Sequence, residues 1–288
     1  MTRTFLFLMT NLAAMFTMGV VLKIIGVQSV NIVFSVIIAG ISGFLGSFIS
    51  LVLAKWIALF TVNGKIIEFP LNERQYWLFD AMKYQSQLKG IKTPQLVIYN
   101  NDEINAFATG RSRNSAIVAL SSGLLERLNN DEIKAILAHE ISHISSGDMV
   151  TMTLIQGIIN TFVIYISHTV THIISTFFSE KKGIQNNFHI PYAVIYTVLT
   201  FCLGCLSSMI VMWFSRKREF YADAGAAKIV GVNQTIAALQ KLKISIEPQE
   251  QDIIRTFCIH GRFSLSRLLA SHPPIDERIN ALIQGTYL

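Results

Sequence analysis

The chain has 288 residues, of which 51% are hydrophobic and only 15% charged, against about 25% charged in an average soluble protein. That deficit, with a mean hydropathy of +0.46, excludes an ordinary soluble domain. The net charge of +6 does not indicate a nucleic-acid partner, because the bases sit at the margins of apolar runs and not in a patch with stacking aromatics.

Four runs are long and apolar enough to span a bilayer, which takes about 20 residues. They cover 5–25, 30–54, 149–178 and 190–214. The first has a longer apolar core than a cleaved signal peptide and no small-residue cleavage site, so it reads as a retained anchor. Arg3 precedes it, Lys55 follows the second run, and Arg216, Lys217 and Arg218 follow the fourth. Basic residues at these ends place both termini and segment 55–148 on the cytoplasmic side. Lys181 and Lys182 oppose that reading mildly. The implied domain order is two N-terminal spans (1–54), a first polar block (55–148), a transmembrane hairpin (149–214) and a second polar block (215–288).

In the first block, 71–90 reads as a helix ending at Gly90. Then 94–100 reads as a strand, and 105–110 with 115–120 as two short strands joined by the turn-prone stretch RSRN. Asn129 and Glu132 have the spacing of a capping box for a helix that carries His139-Glu140-Ile141-Ser142-His143. The second block reads as helices over EFYADAGAAKIV, NQTIAALQKLKI and DERINALIQ. Within the spans, Ala39, Gly43 and Ser47 fall four apart, as do Gly204 and Ser208, the small-residue spacing that lets membrane helices approach closely. Gln156 and Asn160 share a face and, as amides in hydrocarbon, are expected to point into the bundle. Cys202 and Cys205 read as packing residues and not as a dithiol site, and no disulfide framework is expected.

H-E-x-x-H on a helix has a chemical reason. Residues i and i+4 share a face, so His139 and His143 can hold one ion. Glu140 lies beside that face, where a general base can take a proton from an activated water. Two histidines are an incomplete catalytic set, which needs three protein ligands and an open position. The hairpin 149–214 returns the chain to the side of the membrane it left. The sequence that re-emerges, SRKREFYADAGAA, carries Glu219 and Asp223 one turn apart. Glu219 is the expected third ligand, and Asp223 is placed to hydrogen-bond a ligand histidine. Asp148, beside Gly147, reads as a cap for the third span in preference to an orienter of His139. His168 and His172 have the same spacing but no acidic residue between them, and do not read as a second metal site.

HEISHISSGD, SRKREFYADAGAA and SHPPIDERI in this order resemble the HtpX-type membrane zinc metalloproteases, relatives of the CAAX prenyl proteases, over nearly the whole chain. The resemblance implies a fold that is mainly α with a small β-sheet: a multi-pass membrane protein with a cytoplasmic zincin-like domain. It implies one zinc ion (Zn2+) held by His139, His143 and Glu219, Glu140 as the base, and Asp223 supporting a zinc histidine. It also implies that His272 and Arg278 face the cleft, although His272 reads equally as a helix-start residue before two prolines. Asn105, Ala106 and Phe107 would align extended substrate by β-augmentation. The implied role is quality control of unfolded or damaged membrane proteins in the bacterial inner membrane, with protein substrates and lipid as partners and the oligomeric state open. The alternatives are a CAAX-type processing protease and a non-catalytic metal-binding membrane protein. Transport is disfavoured because the spans hold almost no ionisable residues.

Overall fold

The computed structural model describes residues 32–180, 192–257 and 272–288. The first predicted span, together with His189, Cys258 and His260, lies outside the described residues. The helices are α1 (Ile32–Val62), α2 (Glu73–Leu88), α3 (Ser122–Arg127), α4 (Asn130–Ser146), α5 (Asp148–Glu180), α6 (Tyr192–Val230), α7 (Val232–Phe257) and α8 (Ile275–Gln284). Four strands complete the described chain: β1 (Lys65–Ile67), β2 (Gln95–Tyr99), β3 (Ala106–Ser112) and β4 (Ser115–Ser121). The protein is mainly helical with a small mixed sheet, and it divides into two compact units.

One unit takes its described residues from α1 up to Ile49 and from Met152–Val211. Among the described residues three helices, Ile37–Val62, Asp148–Phe177 and Tyr192–Val230, are long and apolar enough to cross a membrane. In α1, Ala39 and Ser47 are buried, and a side chain at Gly43 would overlap the backbone of Thr161 in α5. The predicted small-residue stripe is therefore a helix-packing surface there. At the second stripe, a Cβ at Gly204 would meet nothing within 4 Å among the described residues. Cys202 and Cys205 are likewise exposed on α6 among the described residues. Gln156 Nε2 donates to Asn160 Oδ1 at 2.8 Å, and Asn160 Nδ2 donates to Ser47 Oγ at 3.3 Å. The amides thus satisfy one another inside the helix packing.

The other unit, Ser50–Thr151 with Met212–Leu288, holds the sheet. Strand order is β1-β2-β4-β3; β2 and β4 run parallel, and β1 and β3 pair antiparallel with their neighbours. The central strand β4 is apolar on both faces, as a strand covered on both sides must be. One face, through Leu96, Val118 and Leu120, packs on Leu78 and Met82 of α2 and on Ile133, Leu137 and Ile141 of α4. The opposite face, through Val97, Ile117 and Ala119, packs on Ala58, Leu59 and Val62 at the end of α1. β3 stands at the sheet edge, and α4 runs beside it.

Helix α4 begins with the expected capping box. Asn129 accepts from the Asp131 and Glu132 amides, and Glu132 accepts from the Asn129 amide at 2.8 Å. It ends at Gly147, whose φ of 73 and ψ of 33 are left-handed, with its N–H donating to the carbonyls of His143 and Ile144. The chain therefore turns at Gly147 before α5 starts at Asp148. Conversely, α6 has no break where hydropathy changes near residue 214. The span and EFYADAGAAKIV form one 39-residue helix.

Candidate metal centre

Helices α4 and α6 lie close enough that a Cβ at Gly225 would sit 2.5 Å from Ser142 Oγ. Glycine at that position permits the approach. Earlier on α6 and one turn apart, Asp223 and Glu219 face the histidines of α4. His139 Nε2 and His143 Nε2 are 3.1 Å apart. Glu219 Oε2 lies 3.6 Å from His139 Nε2, and Glu219 Oε1 lies 3.3 Å from His143 Nε2. Ligand atoms of His139, His143 and Glu219 all fall within 4.8 Å of one another, the one such group among the described residues.

The far nitrogens of both rings meet carboxylates. His143 Nδ1 is 2.6 Å from Asp148 Oδ2. His139 Nδ1 is 2.9 Å from Asp223 Oδ1, close but not well aligned as a hydrogen bond. A ring nitrogen facing a carboxylate carries its proton, which leaves each Nε2 with a bare lone pair. Two lone pairs and a carboxylate then converge, and Glu219 Oε2 is buried with no well-aligned hydrogen bond. Acceptors gathered in this way need a cation between them. Two imidazoles and a carboxylate with nitrogen and oxygen donors suit zinc.

Without a cation, protons take its place. Burial disfavours charge on His139, but the carboxylates of Asp223 and Glu219 outweigh it and push its pKa up to about 10. His143 is likewise raised, with Asp148 and Glu219 overcoming burial. Burial works against the Glu219 carboxylate too, yet His139, His143 and His272 hold its pKa far below the usual carboxylate range. Asp223 is depressed in the same manner, by Arg278 and His139 against burial.

Asp148 is therefore not only a helix-start residue. The left-handed turn at Gly147 folds its carboxylate back onto His143, and Arg218 Nη1 donates to its backbone carbonyl at 2.9 Å. This corrects the sequence reading in two respects: the residue contacts a histidine, and the histidine is His143, not His139. Arg278, only 7% exposed, donates Nε to Asp223 Oδ2 at 2.7 Å and Nη2 to Asp223 Oδ1 at 2.6 Å. Its third nitrogen, Nη1, stands 3.5 Å from Glu219 Oε2. His272 is largely exposed, with Nδ1 2.9 Å from Glu219 Oε2. Glu140 is buried at 8% exposure on the turn that carries His139.

Asn105 precedes β3, with its amide donating to Ser121 Oγ and its carbonyl accepting from the Ser121 amide, both at 3.0 Å. Ala106 and Phe107 open the edge strand, and the Phe107 ring packs toward Tyr99 at 6.0 Å between centroids.

Comparison with known proteins agrees with this geometry. Residues 72–285 match Peptidase family M48. The chain is 50% identical over 292 residues to "Protease HtpX" of Pectobacterium carotovorum subsp. carotovorum (strain PC1), with all of both chains covered. It is 51% identical to the proteins of that name from Serratia proteamaculans (strain 568) and Yersinia pestis (strain Pestoides F), again with full coverage of both chains. Among solved structures it shares a fold with Ste24p of S. mikatae, at a TM-score of 0.64 and 18% identity, covering 98% of this chain and 67% of that one. With apolar helices able to cross a membrane and a cluster of two histidines and a glutamate among its described residues, the chain belongs to peptidase family M48 and is a metalloprotease.

Proposed function

We propose that the protein is a zinc endopeptidase of the bacterial inner membrane that cleaves unfolded or damaged proteins at its cytoplasmic face. The observation that carries this reading is the convergence of His139 Nε2, His143 Nε2 and the buried Glu219 carboxylate beside the buried Glu140. His139, His143 and Glu219 hold the metal. Zinc held there would supply polarisation of the scissile carbonyl and acidification of a water toward a pKa of about 7.

The chain's own residues do the rest. The Glu140 carboxylate takes a proton from the attacking water and delivers it to the nitrogen of the leaving amine. Asp223 and Asp148 keep the Nδ1 protons of His139 and His143 in place, so that each Nε2 stays an open lone pair. Arg278 locks Asp223 and adds positive charge near Glu219. His272, at the exposed rim, is within reach of a developing oxyanion. The edge strand β3 takes substrate as an added strand through Asn105, Ala106 and Phe107, which selects for extended, unfolded segments. Lys55, Arg216, Lys217 and Arg218, flanking the apolar stretches, support the cytoplasmic placement. The polar blocks 55–148 and 215–288 together form the protease domain, and 1–54 and 149–214 form the membrane anchor.

The test is one purified preparation measured for metal content and for hydrolysis of unfolded casein, with and without chelator, beside Glu140→Gln. We expect one zinc per chain in both proteins and a loss of about 10²–10⁴-fold in kcat for the variant. Full activity in Glu140→Gln sinks the base assignment. Cleavage of a prenylated peptide with casein untouched replaces the quality-control reading with site-specific processing.

A further inference from the structure

The metalloprotease chemistry leaves unused a cavity on the α1 side of the sheet. It has a volume of about 380 Å³ and is lined by Val52, Lys55, Trp56 and Leu59 of α1 with Arg111 and Ser115 of the β3–β4 hairpin. Two cations line it and no carboxylate does. Lys55 Nζ donates to the neutral side-chain oxygen of Gln95. Arg111 has no ion-pair partner among the described residues.

The backbone is shaped to put Arg111 there. Gly110 pairs with Ala116 and Ser112 with Ser115, so Arg111 is the extra residue of a β-bulge. Bulges re-aim a side chain out of the regular alternation. Gly110 has φ of 153, and a Cβ there would lie 2.2 Å from the Ser115 carbonyl oxygen. Only glycine fits, so the hairpin is committed to this distortion at the residue before the arginine.

The other wall is an apolar membrane helix near its end. Trp56 is 66% exposed, and its ring stacks on Phe60 at 5.7 Å between centroids. Trp and Lys at the end of an apolar helix mark the headgroup level of a bilayer. An anionic group with apolar tails is the ligand that fits both walls: its phosphate between Lys55 and Arg111, its acyl chains along Val52 and Trp56. We propose that this cavity binds the phosphate headgroup of an anionic phospholipid.

The test uses full-length protein in detergent, titrated with phosphatidylglycerol, phosphatidylcholine or inorganic phosphate and read by native mass spectrometry. One phosphatidylglycerol should bind in clear preference to phosphatidylcholine. Each of Lys55→Gln and Arg111→Gln should weaken it about fivefold, near what one basic residue contributes at an anionic surface. Arg111→Lys should retain most of the binding, which separates charge from folding. Lys83→Gln, an exposed lysine outside the cavity, should change nothing. The proposal is overturned by unchanged binding in Arg111→Gln, by an equal loss in Lys83→Gln, or by inorganic phosphate displacing the lipid at equal concentration.

Discussion

Asp148 Oδ2 stands 2.6 Å from His143 Nδ1, a contact created by the left-handed turn at Gly147 between two helices. Asp223 makes the matching approach to His139 at 2.9 Å. Each histidine of the motif thus has its own carboxylate. Partners of this kind hold ring orientation and raise ligand basicity, and their loss costs about 10–100-fold in metal affinity. Asp148→Asn should weaken zinc binding by that amount while leaving the fold intact. Competition against a chromophoric chelator measures it, and unchanged affinity would show that Asp148 is only a helix-start residue.

Glu219→Ala removes the one carboxylate in the convergent set. The variant should lose both activity and tightly held zinc, down to the level of a His139→Ala/His143→Ala double variant. Elemental analysis of the purified protein decides the matter. Stoichiometric zinc in Glu219→Ala would place the third ligand elsewhere.

Loading the metal should release protons. In the metal-free chain His139 holds its proton up to a pKa of about 10, above its ordinary 6.5. A raised pKa stabilises the metal-free fold fully below about 6.5, and this contribution is lost as pH rises through about 10. Zinc needs the bare nitrogen, so at pH 8 binding must expel the proton. Apparent affinity should therefore strengthen as pH rises, by about tenfold per unit for each proton displaced. A pH indicator in weakly buffered solution reads the release directly. Affinity independent of pH between 7 and 9 contradicts the assignment.

The Arg278–Asp223 pair is buried and joined by two parallel hydrogen bonds. Removing one partner of such a pair costs about 3–5 kcal/mol, because the other charge is left buried alone. Arg278→Ala should lower the thermal denaturation midpoint markedly. Arg278→Lys should lower it less, since it keeps the charge but not the fork. A midpoint unchanged in Arg278→Ala would mean that Asp223 finds another partner.

The features legible in the sequence were those written locally. The capping box of Asn129 and Glu132, the short strand-like runs in 94–120 with their turn-prone RSRN, and the His139–His143 spacing each depend on neighbours within a few residues. Glu219 was legible for a different reason, the return of the chain after a transmembrane hairpin. Strand β1 was not legible, because Lys65–Ile67 is too short to show a period. The unbroken α6 was missed because its boundary was drawn where hydropathy changes, whereas SRKREF contains no glycine or proline to end a helix. The contact of Asp148 with His143 depends on the φ of a single glycine. The Arg278–Asp223 bond joins residues 55 apart, with no sequence pattern linking the two.

The dispersal of the site along the chain also sets an order in time. At a synthesis rate of roughly 5–20 residues per second, the ribosome takes on the order of ten seconds to pass from His143 to Glu219. On the proposed assignment, the nascent chain throughout that interval has Glu140, His139 and His143 but lacks Glu219, the residue that would complete the metal site. Arg278, which clamps Asp223, is made last of all. The same assignment implies a protease that stays chemically silent while it is being made and becomes competent only once the segment carrying Glu219, Asp223 and Arg278 has been added.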